Sequence, residues 1–382
     1  MKVLFLSDYF YPHWTGIVKS TLRLAKVLVN NKIEVTVLTV KHEESLKEKE
    51  FFENIKILRV NYLFKISRVF YSPMIIIKLL MLIKNYNLIF INSPNSNILF
   101  LTLIGKLWRK RVFIFHQGDL ILPKQTANIV LSFFIEKIFD FLTISSFFLA
   151  DKVGTFTKDY AIHSRVMKFF PKKFFFLIPP IIFFNDKNDN KKYKKMADNL
   201  KMLKKKYLLI GFAGRFVEEK GFDILIKAIT SIIKKIKNIK FIFAGETHIF
   251  YEKFFEKVKP LIEKNKNYLV FLGKLQDQQL KIFYQNLDLF ILPSRSDCFP
   301  LVQLEAMSYK VPVIVSNIFG ARYLVKKTGF GLIFQKENEK DLAKKIVFAL
   351  KNKDKLLKNY ENFKSLIDKE TRDEKILKVF EV

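Results

Sequence analysis

Two carboxylates, Asp297 and Glu305, stand with seven residues between them in the segment Pro293 to Met307. The run Leu287 to Leu292 ahead of it is apolar and reads as a buried strand. Leu301, Leu304 and Met307 recur at helical spacing, so a helix follows. Asp297 then falls in the loop and Glu305 inside the helix. Main-chain groups of Phe299, Pro300 and Leu301 would point out of the helix start, where the dipole favours negative charge. Such a place suits a ligand that carries both hydroxyl groups and an anion. An ordinary strand–loop–helix connection with a surface Asp297 fits the pattern as well.

An upstream element supplies the opposite charge. Tyr207 to Gly211 restarts a strand pattern, and a helix is predicted over Phe222 to Lys235. Gly214, Arg215, Lys220 and Gly221 lie between them. Arg215 and Lys220 flank the helix entrance and could clamp a diphosphate, the first as a planar fork, the second as a mobile point charge. The N-terminal half opens with a strand over Lys2 to Ser7, a loop ending at Gly16, a helix over Ile17 to Asn30 and a strand over Glu34 to Val40. This is a Rossmann-like opening without a G-x-G-x-x-G loop. Gly16 serves equally well as plain helix punctuation. His116 ends the strand Val112 to Phe115, where ligands bind in open α/β sheets. A hydrogen-bonded loop histidine is the competing reading there.

Taken together, the Pro293 to Met307 wording and the Gly214-Arg215 to Lys220-Gly221 spacing resemble the retaining GT-B glycosyltransferases of family four, also called glycosyl transferases group 1. The resemblance runs over nearly the whole chain. It implies an α/β protein of two Rossmann-like, doubly wound domains facing across a cleft. It implies a nucleotide-sugar donor held by Gly16, Gly214, Arg215, Lys220, Leu275, Phe299, Pro300, Leu301 and Glu305. Arg215 and Lys220 would stabilise the leaving diphosphate, Glu305 would hold the ribose, Asp297 would grip the sugar and His116 would line its other face. Main-chain groups beside Leu275 would hold the base. By the same resemblance, configuration at the sugar would be retained, with no metal and no cofactor expected. The family usually has Glu where this chain has Asp297, an acid one methylene shorter.

The implied domains are 1–184 for the acceptor, a basic linker over 185–206, 207–364 for the donor, and a C-terminal helix over 365–382 returning to the first domain. Half of the 382 residues are hydrophobic, ample for sizeable cores. Cys298 is the only cysteine, which fits a reducing compartment. The net charge is +31. Residues 1–180 hold 26 basic and 12 acidic side chains (+14), and residues 181–382 hold 41 and 24 (+17). An excess spread over both halves seeks polyanions or an anionic membrane surface. Lysine and phenylalanine interleave over 168–176, Ile181 to Phe184 adds two more rings, and 127–149 reads as a helix rich in Phe133, Phe134, Phe141, Phe147 and Phe148. That mixture suits interfacial binding, and core packing would use the same rings.

No signal segment or membrane-spanning helix is expected. The uncharged stretch Asn85 to Gly105 is interrupted at Asn92 to Asn97. The expected setting is cytoplasmic, peripheral on the inner face of the cytoplasmic membrane, with a glycan or lipid-linked acceptor and no nucleic-acid partner. Two rivals stay open. One is a GT-B sugar-nucleotide epimerase, and the other a non-catalytic basic protein that binds membrane or polyanions.

Overall fold

The computed structural model describes residues 1–66, 69–122, 129–183, 190–249 and 252–380. The chain divides into two compact units, Met1–Pro180 with Lys369–Val382, and Ile181–Asp368.

The first unit contains β1 (Lys2–Leu6), β2 (Glu34–Val40), β3 (Lys49–Phe52), β4 (Ile55–Val60), β5 (Phe64–Ile66), β6 (Val69–Tyr71), β7 (Leu88–Ser93), β8 (Arg111–His116), β9 (Lys152–Thr155) and β10 (Phe174–Phe176). Eight of these form one sheet in the order β10-β9-β8-β7-β1-β2-β4-β3, and β5 pairs with β6 separately. Every pairing in the large sheet is parallel except β3 with β4. The centre of the sheet reads as unbroken apolar runs because helices cover both faces: every residue of β7 is buried. The strand order reverses between β1 and β7, the switch point where open α/β sheets bind ligands.

Helix α1 (Gly16–Asn30) starts one residue earlier than its pattern predicts. Thr15 is the N-cap, its side chain accepting from the Val18 amide at 3.2 Å. The stretch 85–105 resolves as β7, a loop and helix α3 (Ile98–Leu107). Helix α2 (Pro73–Leu82) precedes it, and α4 (Ile129–Leu149) follows β8. Residues 127 and 128 of the predicted aromatic helix lie outside the described residues. The last helix, Lys369–Phe380, belongs to this unit. Phe380 is fully buried against Phe90 and Phe113, and Lys152 donates to the Val379 carbonyl.

The second unit contains β11 (Leu208–Ala213), β12 (Ile239–Ala244), β13 (Leu269–Phe271), β14 (Leu289–Leu292), β15 (Val313–Ser316) and β16 (Gly331–Phe334). All are parallel, in the order β13-β12-β11-β14-β15-β16. This is the doubly wound order, with its switch point between β11 and β14.

The basic linker needs correction. Residues 190–206 form a helix, Asn190–Lys206, that packs on the helix Asp277–Asn286 and buries Leu200. Tyr193 bonds to Gln276 at 3.0 Å. Lys194, Lys195, Lys201, Lys204, Lys205 and Lys206 are exposed on an amphipathic helix, and the number of lysines hid its apolar stripe. Residues 185–189 lie outside the described residues.

Candidate functional site

The structure brings the two charged motifs of the second unit together across its switch point. Gly214 and Arg215 follow β11, and Pro293 to Pro300 follow β14. Two close backbone approaches hold the loops. At Gly221, φ is +65° and an added Cβ would lie 2.1 Å from the Pro293 carbonyl oxygen. At Gly320, an added Cβ would lie 2.0 Å from the Asp297 carbonyl oxygen. Neither place can hold a side chain without moving the loop that carries Asp297. Gly214 and Gly16 differ: an added Cβ would make only ordinary contacts at Gly214 and would meet nothing at Gly16.

Lys220 Nζ lies 2.7 Å from Asp297 Oδ2, so a predicted cation and a predicted acid form an ion pair. Arg215 Nη2 lies 3.2 Å from Glu219 Oε1, and Lys220 lies 3.8 Å from the same carboxylate. Burial would lower the Lys220 ammonium, but Asp297 and Glu219 outweigh it and hold its pKa above the ordinary value. Glu219, within the Arg215 to Lys220 spacing, was not anticipated as the partner of either cation. Its carbonyl also accepts from the Arg295 amide at 2.8 Å, which stitches the two loops together. Arg295 then forks onto Asp223, at 2.8 and 2.9 Å, and reaches Glu337 at 2.8 Å. Asp223 begins the helix Phe222–Ile233, so Arg295 fixes one loop to the helix that starts the other.

The helix Leu301–Ser308 starts with Pro300 as its N-cap. Pro300 has no N–H, so only two of the three main-chain donors expected between Phe299 and Leu301 exist. Glu305 is buried and accepts from the Tyr284 hydroxyl at 3.1 Å. Tyr284 stacks on Tyr309, whose pKa is raised by burial and by the Glu305 charge. No sequence signal marks the Tyr284 contact, because a lone tyrosine in the helix Asp277–Asn286 carries no distinguishing pattern. Leu275 lines a hollow with Leu203, Tyr207, Val270 and Gln279.

His116 and Gly16 lie in the first unit. His116 ends β8 and is buried. Its Nδ1 is 3.0 Å from Ser93 Oγ and its Nε2 is 2.9 Å from Asp119 Oδ1. Asp119 also accepts from Ser164 Oγ and the Arg165 amide. Burial would raise the Asp119 carboxyl, but these bonds and the His116 charge bring it down to about 2. With both ring nitrogens engaged, His116 has the bonding of a structural histidine beside the β8 terminus.

Asp8 carries no motif, yet it stands two residues past the end of β1 at the switch point of the first unit. Its Oδ1 accepts from Asn95 at 2.7 Å and its Oδ2 from the Ser96 amide at 3.3 Å. Burial pushes the carboxyl up from 3.8 to about 7, against the pull of the Ser96 amide. Between those two pH values the folded chain keeps a proton that the unfolded chain has lost. Stability therefore falls as pH rises through that window, by up to about 4 kcal/mol for the full shift. Asp8→Asn is expected to melt several degrees above the parent near pH 8, with the gap narrowing as pH falls and closing near pH 3.5. Parallel melting curves at both pH values would show that Asp8 ionises without cost.

The two doubly wound sheets, each with its loops at a switch point, define the GT-B architecture. Residues 194–365 match the family model described as Glycosyl transferases group 1, and residues 14–152 match that of Glycosyltransferase Family 4. Each unit of the chain thus carries one glycosyltransferase family match, and the two together span most of its length. It is 30% identical over 162 residues to the capsular polysaccharide biosynthesis glycosyltransferase CapM of Staphylococcus aureus, a match covering 42% of this chain and 40% of CapM. An uncharacterized glycosyltransferase of Methanocaldococcus jannaschii is 32% identical over 144 residues, 37% of this chain and 38% of the relative. The chain thus spans well under half the length of these curated relatives. Among solved structures, Anabaena Alr3699/HepE in complex with UDP superposes with a TM-score of 0.73 at 17% identity, covering all of both chains. At that identity the likeness is one of fold.

Proposed function

We propose that this chain is a retaining, metal-independent glycosyltransferase. It moves a sugar from a UDP- or GDP-sugar to a glycan or lipid-linked acceptor in cell-surface polysaccharide or glycolipid synthesis. It works at the inner face of the cytoplasmic membrane and uses no cofactor. The observation that carries the reading is the Lys220–Asp297 pair at a switch point, with Arg215 beside it. CapM, named for capsular polysaccharide biosynthesis, supports the pathway class, and the UDP in the HepE structure supports the donor class.

The arrangement suggests an exchange of partners. Before donor arrives, carboxylates hold both cations in place. An arriving diphosphate competes for Lys220 and Arg215 and loosens Asp297, which then accepts from a sugar hydroxyl. As the sugar C1–oxygen bond breaks, negative charge collects on the leaving phosphate, where both cations are already oriented. The acceptor hydroxyl adds at C1 from the face the diphosphate leaves, and its proton passes to the departing phosphate oxygen. Glu305, held by Tyr284, takes the ribose hydroxyls.

Incubation of the purified chain with labelled UDP- and GDP-sugars, with and without membrane lipid extract, tests the reading. Transfer to lipid or glycan supports it. Sugar isomerisation without acceptor indicates the epimerase, and absence of both leaves a binding protein. Glu305→Ala is expected to weaken UDP or GDP binding about tenfold or more by titration calorimetry, the scale of one charged hydrogen bond lost. Equal affinity would remove Glu305 from the ribose.

A further inference from the structure

Helix α4 is apolar on both sides. Its core side combines Phe147, and the half-buried Leu142 and Ile144 packed on the same core, with the small polar Ser132, Thr143 and Ser146. Its outer positions include Phe134, Ile138, Phe141 and Phe148, at steps of four, three and seven, which is one stripe of a helix. Phe141 and Phe148 are 67% and 73% exposed. A helix facing water is polar on its outer side.

The stripe does not stand alone. Helix α3 packs against both α4 and α2, and all three turn their inner sides to one core through Ile75, Leu79, Leu101 and Phe147. Their outer sides therefore lie together. On α3 the outer stripe is Phe100, Leu103 and Leu107, and on α2 it is Met74, Ile77 and Met81. An apolar face of three adjacent helices exceeds the scattered exposure normal for a monomer.

Charge selects the occupant. The acids of α4 are taken: Arg165 holds Glu136 at 2.7 Å and Asp140 at 3.1 Å. Asp151, just past α4, is held by Lys106 at 2.6 Å. Lysines ride on the exposed rings, with Lys137 over Phe133, Lys168 over Phe169 and Lys84 over Trp108, at 5.4, 5.2 and 5.2 Å. Rings that enter an interface beneath ammonium groups fit anionic headgroups over acyl chains. A second copy would bring the same lysines against these and meet repulsion. Among the described residues no helix is long and apolar enough to cross a membrane, so contact of this kind is lateral.

We propose that the outer face of α2, α3 and α4 is a docking surface for an anionic lipid bilayer, entered by the α4 rings and held by the surrounding lysines. This deepens the membrane part of the function proposed above, and its test needs no sugar donor. The full chain is mixed with phosphatidylglycerol vesicles and with phosphatidylcholine vesicles. It is expected to sediment with the first and much less with the second. Trp108 fluorescence should be quenched by brominated acyl chains, and the quenched component should vanish in Trp108→Phe. The variant Phe134→Ser/Phe141→Ser/Phe148→Ser should lose roughly tenfold or more in partition, with its melting curve preserved, because three rings no longer leave water.

Equal partition of that variant overturns the proposal, as does absence of Trp108 quenching. Binding fully lost at about 0.5 M salt points to charge alone and overturns it too. So does a dimer, broken by the triple substitution, in a chain that ignores vesicles. A chain that docks but transfers no sugar leaves this surface standing and sinks the transferase reading; transfer to a soluble acceptor without docking does the reverse.

Discussion

Lys220→Ala is expected to lower sugar transfer by about 100- to 1,000-fold, the cost of removing one oriented charge from a developing anion. The loss should fall mainly on kcat, because the diphosphate carries more charge as it departs than while still bonded to the sugar. Folding should survive. The ion pair with Asp297 is partly exposed, and its loss costs on the order of 1 kcal/mol. Lys220→Arg keeps the charge but replaces a point with a fork, so it should recover only part of the rate. Turnover equal to the parent in Lys220→Ala would falsify the diphosphate clamp.

The second large effect is expected at Arg295, which touches no predicted ligand. Arg295→Ala removes both arms of the fork on Asp223 and the bond to the Glu218 carbonyl at 2.8 Å. Burial would raise the Asp223 carboxyl, yet Arg295, with Lys227, holds it below its ordinary value. Without the guanidinium that carboxylate loses its main counter-charge, at a cost of about 3–5 kcal/mol. The melting midpoint should drop by roughly 10 °C. The double variant Arg295→Ala/Asp223→Ala should recover part of the loss, since it leaves no stranded charge. Transfer should fall along with stability, because the same fork fixes the loop bearing Asp297 to the helix after Lys220. A double variant no more stable than the single one would show that the pair is incidental.

Elements buried on both faces were the legible ones. β1, β2, β8, β11 and β14 are short apolar runs with turn residues behind them, and the sequence predicts each within two residues or so. β3 and β4 escaped notice because Lys49, Glu50, Lys56 and Arg59 break their apolar alternation. β10 was read only as part of a lysine–phenylalanine surface. It is an edge strand, with Phe175 buried against Phe113 and Phe115. The aromatic composition therefore has two origins: Phe147 and Phe175 are core, whereas Phe134, Phe141, Phe148 and Phe169 face outward. No periodicity argument could separate them, since helix α4 is apolar on its core side and its outer side alike. At the site, the residue types of Lys220 and Asp297 were readable but not their direct contact. That contact depends on Gly221 and Gly320 allowing two backbones to meet, which is a matter of shape. Glu219, Tyr284, Arg295 and Asp8 carry no motif, and their part emerges only from who touches whom.

Phe380 fills a place among Phe90 and Phe113 that the earlier strands cannot fill for themselves. A ribosome making this chain releases β1 to β10 long before the segment that finishes their packing. The second unit must therefore be synthesised while the first waits with a hole in its aromatic interior. The nascent first unit is then the stage most exposed to chaperones and to sticking, and a nonsense change ahead of Lys369 would leave it permanently at that stage.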